Sequence, residues 1–156
     1  MAHFFILKYI LKYGLAGLLL TSFLGATIFL PFTPELAFPP LLIAGVSPYM
    51  IVLISALGSV GGAAVNYALG YWGSNEIEKR VEKWEIERVK KYADRYGTLG
   101  LFFIMMFPVP LPVDPITVFF GMTHMRFDFF CVTVFLGKVV KYAMLVGLVE
   151  GIVRVL

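Results

Sequence analysis

The chain sets long uncharged runs around one polar island. Residues 4–30 are apolar after Lys8 and Lys12, and residues 36–75 hold 40 positions without a charged side chain. Residues 75–95 carry six acids and seven bases. Residues 96–113 and 115–125 are uncharged again, and 126–153 stay apolar around Lys138, Lys141 and Glu150. One membrane-spanning helix needs ~20 apolar residues, so the 36–75 run has the length of two. Prolines break the pattern: Pro31 and Pro34 stop the first run, Pro39 and Pro40 follow early in the 36–75 run, and Pro108, Pro110, Pro112 and Pro115 break the later run in the same manner. Proline lacks the N–H that a helix interior needs. The pattern therefore predicts a transmembrane helix over 4–30, a re-entrant hairpin over 31–46 and a transmembrane helix over 47–72. An amphipathic helix over 75–95, a second re-entrant hairpin over 97–125 and a last transmembrane helix over 126–153 complete a single membrane domain of 1–156.

In the polar island Ile77, Val81, Trp84, Val89 and Tyr92 fall near one helical face. That suits a helix lying on a membrane surface, and equally a solvated linker helix laced with i,i+4 ion pairs. A cleaved signal peptide is the alternative reading of Lys8, Lys12 and the run Gly14 to Leu30. The run exceeds the usual ~7–15 residue apolar region and no A-x-A site follows it, so the helix reads as retained. Basic residues favour the cytoplasmic side. Lys8, Lys12, the bases of 75–95 and Arg126 then put the N-terminus in the cytoplasm, and the two hairpins enter from opposite faces.

Composition agrees. The chain is 60% hydrophobic and 15% charged, against about 25% charged in soluble domains. Its net charge of +3 gives no sign of a nucleic acid partner. Cys131 is the lone cysteine, and His3 and His124 are isolated. No metal site, cofactor loop or nucleophile–base set stands out, so neither a cofactor nor an enzyme is expected.

The halves echo one another. Pro34-Glu35, Gly45 and Gly62-Ala-Ala-Val-Asn66-Tyr67 match Pro112-Val-Asp114-Pro115, Gly121 and Gly137-Lys-Val-Val-Lys141-Tyr142. Gly45 to Gly62 is 17 residues and Gly121 to Gly137 is 16, while acid to glycine is 10 against 7. With the opposed hairpins this indicates an inverted repeat, a plan that puts substrate near the midplane at broken helices.

Ionisable groups inside a membrane are costly and point to function. Glu35, Asp114, Lys138 and Lys141 are such groups, and Asn66 joins them through the Gly58, Gly62, Asn66 stripe. Gly58, Gly62, Gly121 and Gly137 read as helix-packing positions. Two readings stay open. The acids cap the hairpins' second halves and the lysines pair with them structurally; or helix ends and lysines make a pocket for an anionic head group, with the acids moving protons.

At these residues the chain resembles the DedA superfamily of SNARE-associated, VTT-domain membrane proteins, closest to the YqaA-type branch. The likeness is carried by Pro34-Glu35, by Ala56 to Gly62 and Asn66 to Gly70, and by Asp114-Pro115, Gly121, Phe127 and Gly137 to Tyr142. It implies two opposed re-entrant loops, lipid translocation of flippase or scramblase type, and functional acids at Glu35 and Asp114. Lys141 stands where the branch has arginine, and Phe107-Pro-Val-Pro-Leu-Pro lacks the arginine that many relatives carry next. The expected function is movement of a phospholipid or polyprenyl phosphate between leaflets of the plasma membrane, with membrane lipids as partners and a homo-oligomer left open. A proton-coupled carrier of a small solute or ion is the second expectation, and a scaffold that binds partners through 75–95 the third.

Overall fold

The computed structural model describes residues 13–27, 33–79, 83–107 and 113–155. Among these residues the backbone is helical, with turns and no strand. Helix α1 spans Leu15–Gly25; a 3-10 turn at Pro34–Ala37 runs into α2, Phe38–Ile43. Then come α3 (Pro48–Glu78), α4 (Lys83–Met106), α5 (Val113–Met122) and α6 (Phe127–Val155). Of the helix expected over 4–30, Leu15–Gly25 is the described part; residues 1–12 and 28–32 lie outside. The helix expected to stop at residue 72 continues to Glu78, taking the first residues of the polar island with it. The rest of the island opens α4, which turns sharply at Gly97 (φ 38°) before its apolar 98–106 portion.

Two classes of helix result. With 31 and 29 residues, α3 and α6 reach about 46 and 43 Å, enough to cross a ~30 Å hydrocarbon layer. Both are long and apolar enough to span. Leu53, Leu57, Leu136, Leu148 and Ile152 turn outward from them. By contrast α1 and α5, of 11 and 10 residues, reach only about 16 and 15 Å.

Local chemistry sets the short helices. Pro34 opens the 3-10 turn, and Pro39 and Pro40 sit at the start of α2, where the missing N–H has no helical partner to lose. At the end of α2, Gly45 is left-handed (φ 83°); its N–H donates to the Leu42 carbonyl and that of Val46 to the Leu41 carbonyl, each at 3.0 Å. This is a Schellman ending, which favours glycine. His124 holds the same place after α5, with φ 55°.

The long helices run antiparallel to each other. Tyr71 meets His124 at one end, Ser59 meets Tyr142 midway, and Ile51 and Val52 share a core with Val146 at the other. The short helices then pack crosswise: α1 on α3 and α4 on α6, but α5 on α3 and α2 on α6.

Contacts recur at a constant interval along the chain. A Cβ on Gly58 would lie 2.5 Å from the Leu19 carbonyl oxygen and 2.8 Å from Ser22 Cβ. On Gly137, 79 residues later, it would meet the Phe102 carbonyl and, at 2.5 Å, Met105 Cβ. Leu19 and Ser22 are each 83 residues before those partners, as Gly14 (φ 58°) is before Gly97. Pro48 and Phe127, Gly45 and His124, and Glu35 and Asp114 are all 79 apart. The four-residue difference falls between α1 and the 3-10 turn, which the second half joins by a shorter link. This register corrects the sequence-based alignment. Gly45 answers to His124 rather than Gly121, and Gly137 to Gly58 rather than Gly62. The mismatch at Gly137 is one helical turn, the slip that a stripe with a four-residue period invites.

Two cores follow the same interval. Leu18, Leu41, Ile51 and Tyr142 belong to one; Leu101, Phe120, Phe130 and Ala63, at the matching positions, belong to the other.

Candidate functional site

The first core surrounds a set of buried polar side chains. Lys141 Nζ lies 2.9 Å from Glu35 Oε1, tying the proline-broken segment to α6. Lys138 and Lys141 are 7% and 9% exposed. Their ammonium groups stand 5.7 and 5.9 Å from the centroid of the Tyr142 ring, within reach of its negative face. Three residues separate the lysines, which puts both on one helix face. Tyr142 is fixed in turn: its hydroxyl is 2.7 Å from Ser59 Oγ, and Phe38 meets its ring edge-on at 5.5 Å. Because Phe38 follows Glu35 by three residues, that contact also anchors the segment bearing the acid.

Glu35 does not act as a helix cap. Oε1 faces Lys141, and Oε2 is buried without a hydrogen-bond partner. Ser22 Oγ and Ser55 Oγ are likewise buried and unpartnered. Ser22 abuts Gly58, and Ser55 sits one turn before Ser59 on α3. Buried polar atoms nearly always find a partner, so these three orphans, one of them on the paired carboxylate, mark groups suited to a polar ligand or a proton.

The other expected site residues divide. Asp114 is the second residue of α5, as Glu35 is of its 3-10 turn; the Asp114 side chain lies outside the described residues. Asn66 is fully buried, and its Nδ2 donates to the Ala26 carbonyl and to Thr117 Oγ1, both at 2.9 Å. It thereby joins the end of α1, α3 and α5 about two turns along α3 from Ser59. Gly58, Gly62, Gly121 and Gly137 all sit at close helix approaches: Gly62 against Phe23 and Ala26, and Gly121 against the Tyr67 carbonyl. Sequence reasoning passed over Ser22, Ser55, Ser59 and the Tyr142 hydroxyl. The available signal was the i,i+4 spacing of Ser55 and Ser59 on the Gly58, Gly62 face.

No group of three or more metal-ligating side chains occurs among the described residues.

Three comparisons bear on this arrangement. The family model of the VTT domain matches residues 30–151, which include both acids, both lysines, all of α3 and most of α6. An uncharacterised protein of Methanocaldococcus jannaschii is 28% identical over 143 residues, covering 91% of this chain and 88% of its own. Another uncharacterised protein, from Haemophilus influenzae, is 24% identical over 142 residues, covering 88% of this chain and 72% of its own. No solved structure matches. With most of its length inside the family match, and with two helices long and apolar enough to span a bilayer, the chain belongs to the VTT-domain, or DedA, family of membrane proteins.

Proposed function

We propose that the chain moves a lipid with a phosphate-bearing head group between leaflets, through a site built on Glu35, Lys138 and Lys141. The observation that carries this reading is the largely desolvated Glu35–Lys141 pair, whose Oε2 is buried without a partner, together with the buried, unpartnered hydroxyls of Ser22 and Ser55. A lysine beside a partly satisfied carboxylate can exchange that partner for a phosphate oxygen, since both are charge-assisted acceptors. The hydroxyls of Ser22, Ser55 and Ser59 can donate to the same anion. Protonation of Glu35 would release Lys141, which offers a route to proton coupling.

The membrane arrangement belongs to the same proposal. The halves form an inverted repeat in the plasma membrane with the N-terminus in the cytoplasm. Support comes from the antiparallel long helices, the constant 79-residue register and short helices that reach only about half the hydrocarbon thickness. A proton-coupled carrier of a small solute is the second reading, favoured by the unpartnered Glu35 oxygen.

Reconstitution separates the two. Purified protein in liposomes is expected to equilibrate a labelled phospholipid or polyprenyl phosphate across the bilayer, and Glu35→Gln to slow it and flatten its pH dependence. Intact transport with an unchanged pH profile in both Glu35→Gln and Asp114→Asn would overturn the role of the acids. Solute uptake driven by a proton gradient, without lipid movement, would favour the carrier.

A further inference from the structure

A cavity lies at the end where α3 finishes and α6 begins. It holds about 460 Å³ and is lined chiefly by Tyr67, Tyr71, Trp72, His124, Arg126 and Phe127. Ligand sites typically occupy about 300–1,000 Å³ and combine apolar walls with a few polar groups. The walls here are braced. Tyr67 donates its hydroxyl hydrogen to the Met125 carbonyl, packs against Phe127 with centroids 5.3 Å apart, and stacks with Tyr71 at 6.2 Å. Tyr71 packs on His124 at 4.5 Å. Arg126 lies over the Phe129 ring at 4.8 Å, and its Nη2 contacts Asp128 at 2.8 Å. A guanidinium has five donors in a planar fork, so the contact to Asp128 leaves donors for another anion.

We propose that this cavity seats the phosphate head group of an anionic lipid, with Arg126 binding the phosphate and Trp72, Tyr71 and Phe127 flanking the glycerol and upper chain. A free ion would gain nothing from aromatic walls, whereas an amphiphile at a membrane surface uses both features. Trp72 is 79% exposed and Tyr71 and Phe127 about half exposed, as suits aromatic anchors at head-group depth. The fold itself does not demand these residues. At the matching positions of the other half, Val146, Glu150 and Gly151 replace Tyr67, Tyr71 and Trp72, and Gly45, Ser47 and Pro48 replace His124, Arg126 and Phe127. The site is therefore one-sided and takes lipid from one leaflet. It does not depend on lipid movement, because its test reads occupancy rather than transport.

Trp72 reports directly. With Trp84→Phe as background, Trp72 is the sole tryptophan. In nanodiscs, brominated phosphatidylglycerol should quench it at about one fifth of the mole fraction needed for brominated phosphatidylcholine. That factor corresponds to the ~1 kcal/mol each basic residue gains near an anionic surface. Arg126→Gln should abolish the preference. Lys83→Gln, an exposed base outside the cavity, should leave it. Asp128→Asn should strengthen it by removing the competing carboxylate, a gain that misfolding cannot produce. Equal quenching by the two lipids, or a preference that survives Arg126→Gln, would overturn the proposal. So would a preference erased by excess inorganic phosphate, which would mark a site for free anions.

Discussion

Removing one member of the Glu35–Lys141 pair should damage the fold more than removing both. At 2.9 Å the Coulomb attraction is about 6 kcal/mol for an effective dielectric of 20. Much of this offsets the desolvation of two buried charges, so the net worth of such a pair is small. Breaking it is another matter, since the survivor stays buried and unpaired, at a cost of about 3–5 kcal/mol. The two side chains retain 23% and 11% exposure, which places the loss near the lower end, at about 3 kcal/mol. Glu35→Gln strands the Lys141 ammonium between the Tyr142 ring and apolar helix surface; Lys141→Gln strands the carboxylate. For a chain of this size about 3 kcal/mol corresponds to a fall in Tm of roughly 6–12 °C. The double variant Glu35→Gln/Lys141→Gln leaves neither member of the pair charged and should recover to within about 1 kcal/mol of the parent. The assay is thermal unfolding of all four proteins in one detergent, at a pH where carboxylates are ionised. If the double variant loses as much as the two single losses combined, the side chains are not coupled and the pair does not form. Single variants indistinguishable from the parent would refute the reasoning equally. Because the double variant should fold, its transport activity also separates a structural pair from a working one.

Three other outcomes are expected. Gly58→Ala and Gly137→Ala press a methyl into helix α1 and α4 respectively and should each lower stability by about 1–3 kcal/mol, while Gly147→Ala, with nothing within 4 Å, should leave it unchanged or raise it slightly; thermal unfolding in detergent reads all three. Asn66→Leu removes the donor to the Ala26 carbonyl and Thr117, for a loss of about 1–3 kcal/mol in the same assay. In a Cys131→Ser background, single cysteines at Tyr49 and Asp128, exposed positions 79 residues apart, should react with an impermeant maleimide from opposite sides of sealed vesicles; labelling from one side would contradict the inverted repeat.

Much of this architecture was legible because hydrophobicity and proline placement act locally. Uncharged runs predict the long helices α3 and α6, and Pro34, Pro39 and Pro40 predict the short broken segment before α3, while Pro108, Pro110 and Pro112 lie outside the described residues; both signals follow from backbone hydrogen bonding in a medium without water. Boundaries were less legible. Trp72 looked like an interfacial stop, but no proline follows it, and the helix keeps its hydrogen bonds through polar residues to Glu78. Glu35 and Lys141 stood out because burying a charge is expensive. The serines around them did not, since a hydroxyl can bond a carbonyl of its own helix, as Thr21 does with Gly17, and so sits in apolar helices at little penalty. Whether Ser22 and Ser55 do so depends on neighbours that only the packed structure supplies. Asn66 was hard to place for a related reason. Its place on the glycine stripe fixes the helix face but not the level along it, and two turns decide whether it meets Thr117 or Tyr142.

The register between the halves separates what the fold requires from what it permits. Gly58 and Gly137 hold the same packing job against carbonyls 83 residues apart, so close helix approach is common to both halves. Polarity is not shared in that way. The positions answering to Ser22 and Ser55 are Met105 and Val134, both buried among apolar side chains of the second core. Lys138 and Lys141 answer to Ser59 and Gly62 on α3. Glu35 and Asp114 are thus equivalent in backbone position, yet only the long helix of the second half supplies lysines. A group needed for packing alone would recur in both halves, as the glycines do. Charges and orphaned hydroxyls that gather around one core are features the fold does not need, and their desolvation weighs against stability. That asymmetry is a physical reason to look for the substrate beside Glu35 and Lys141.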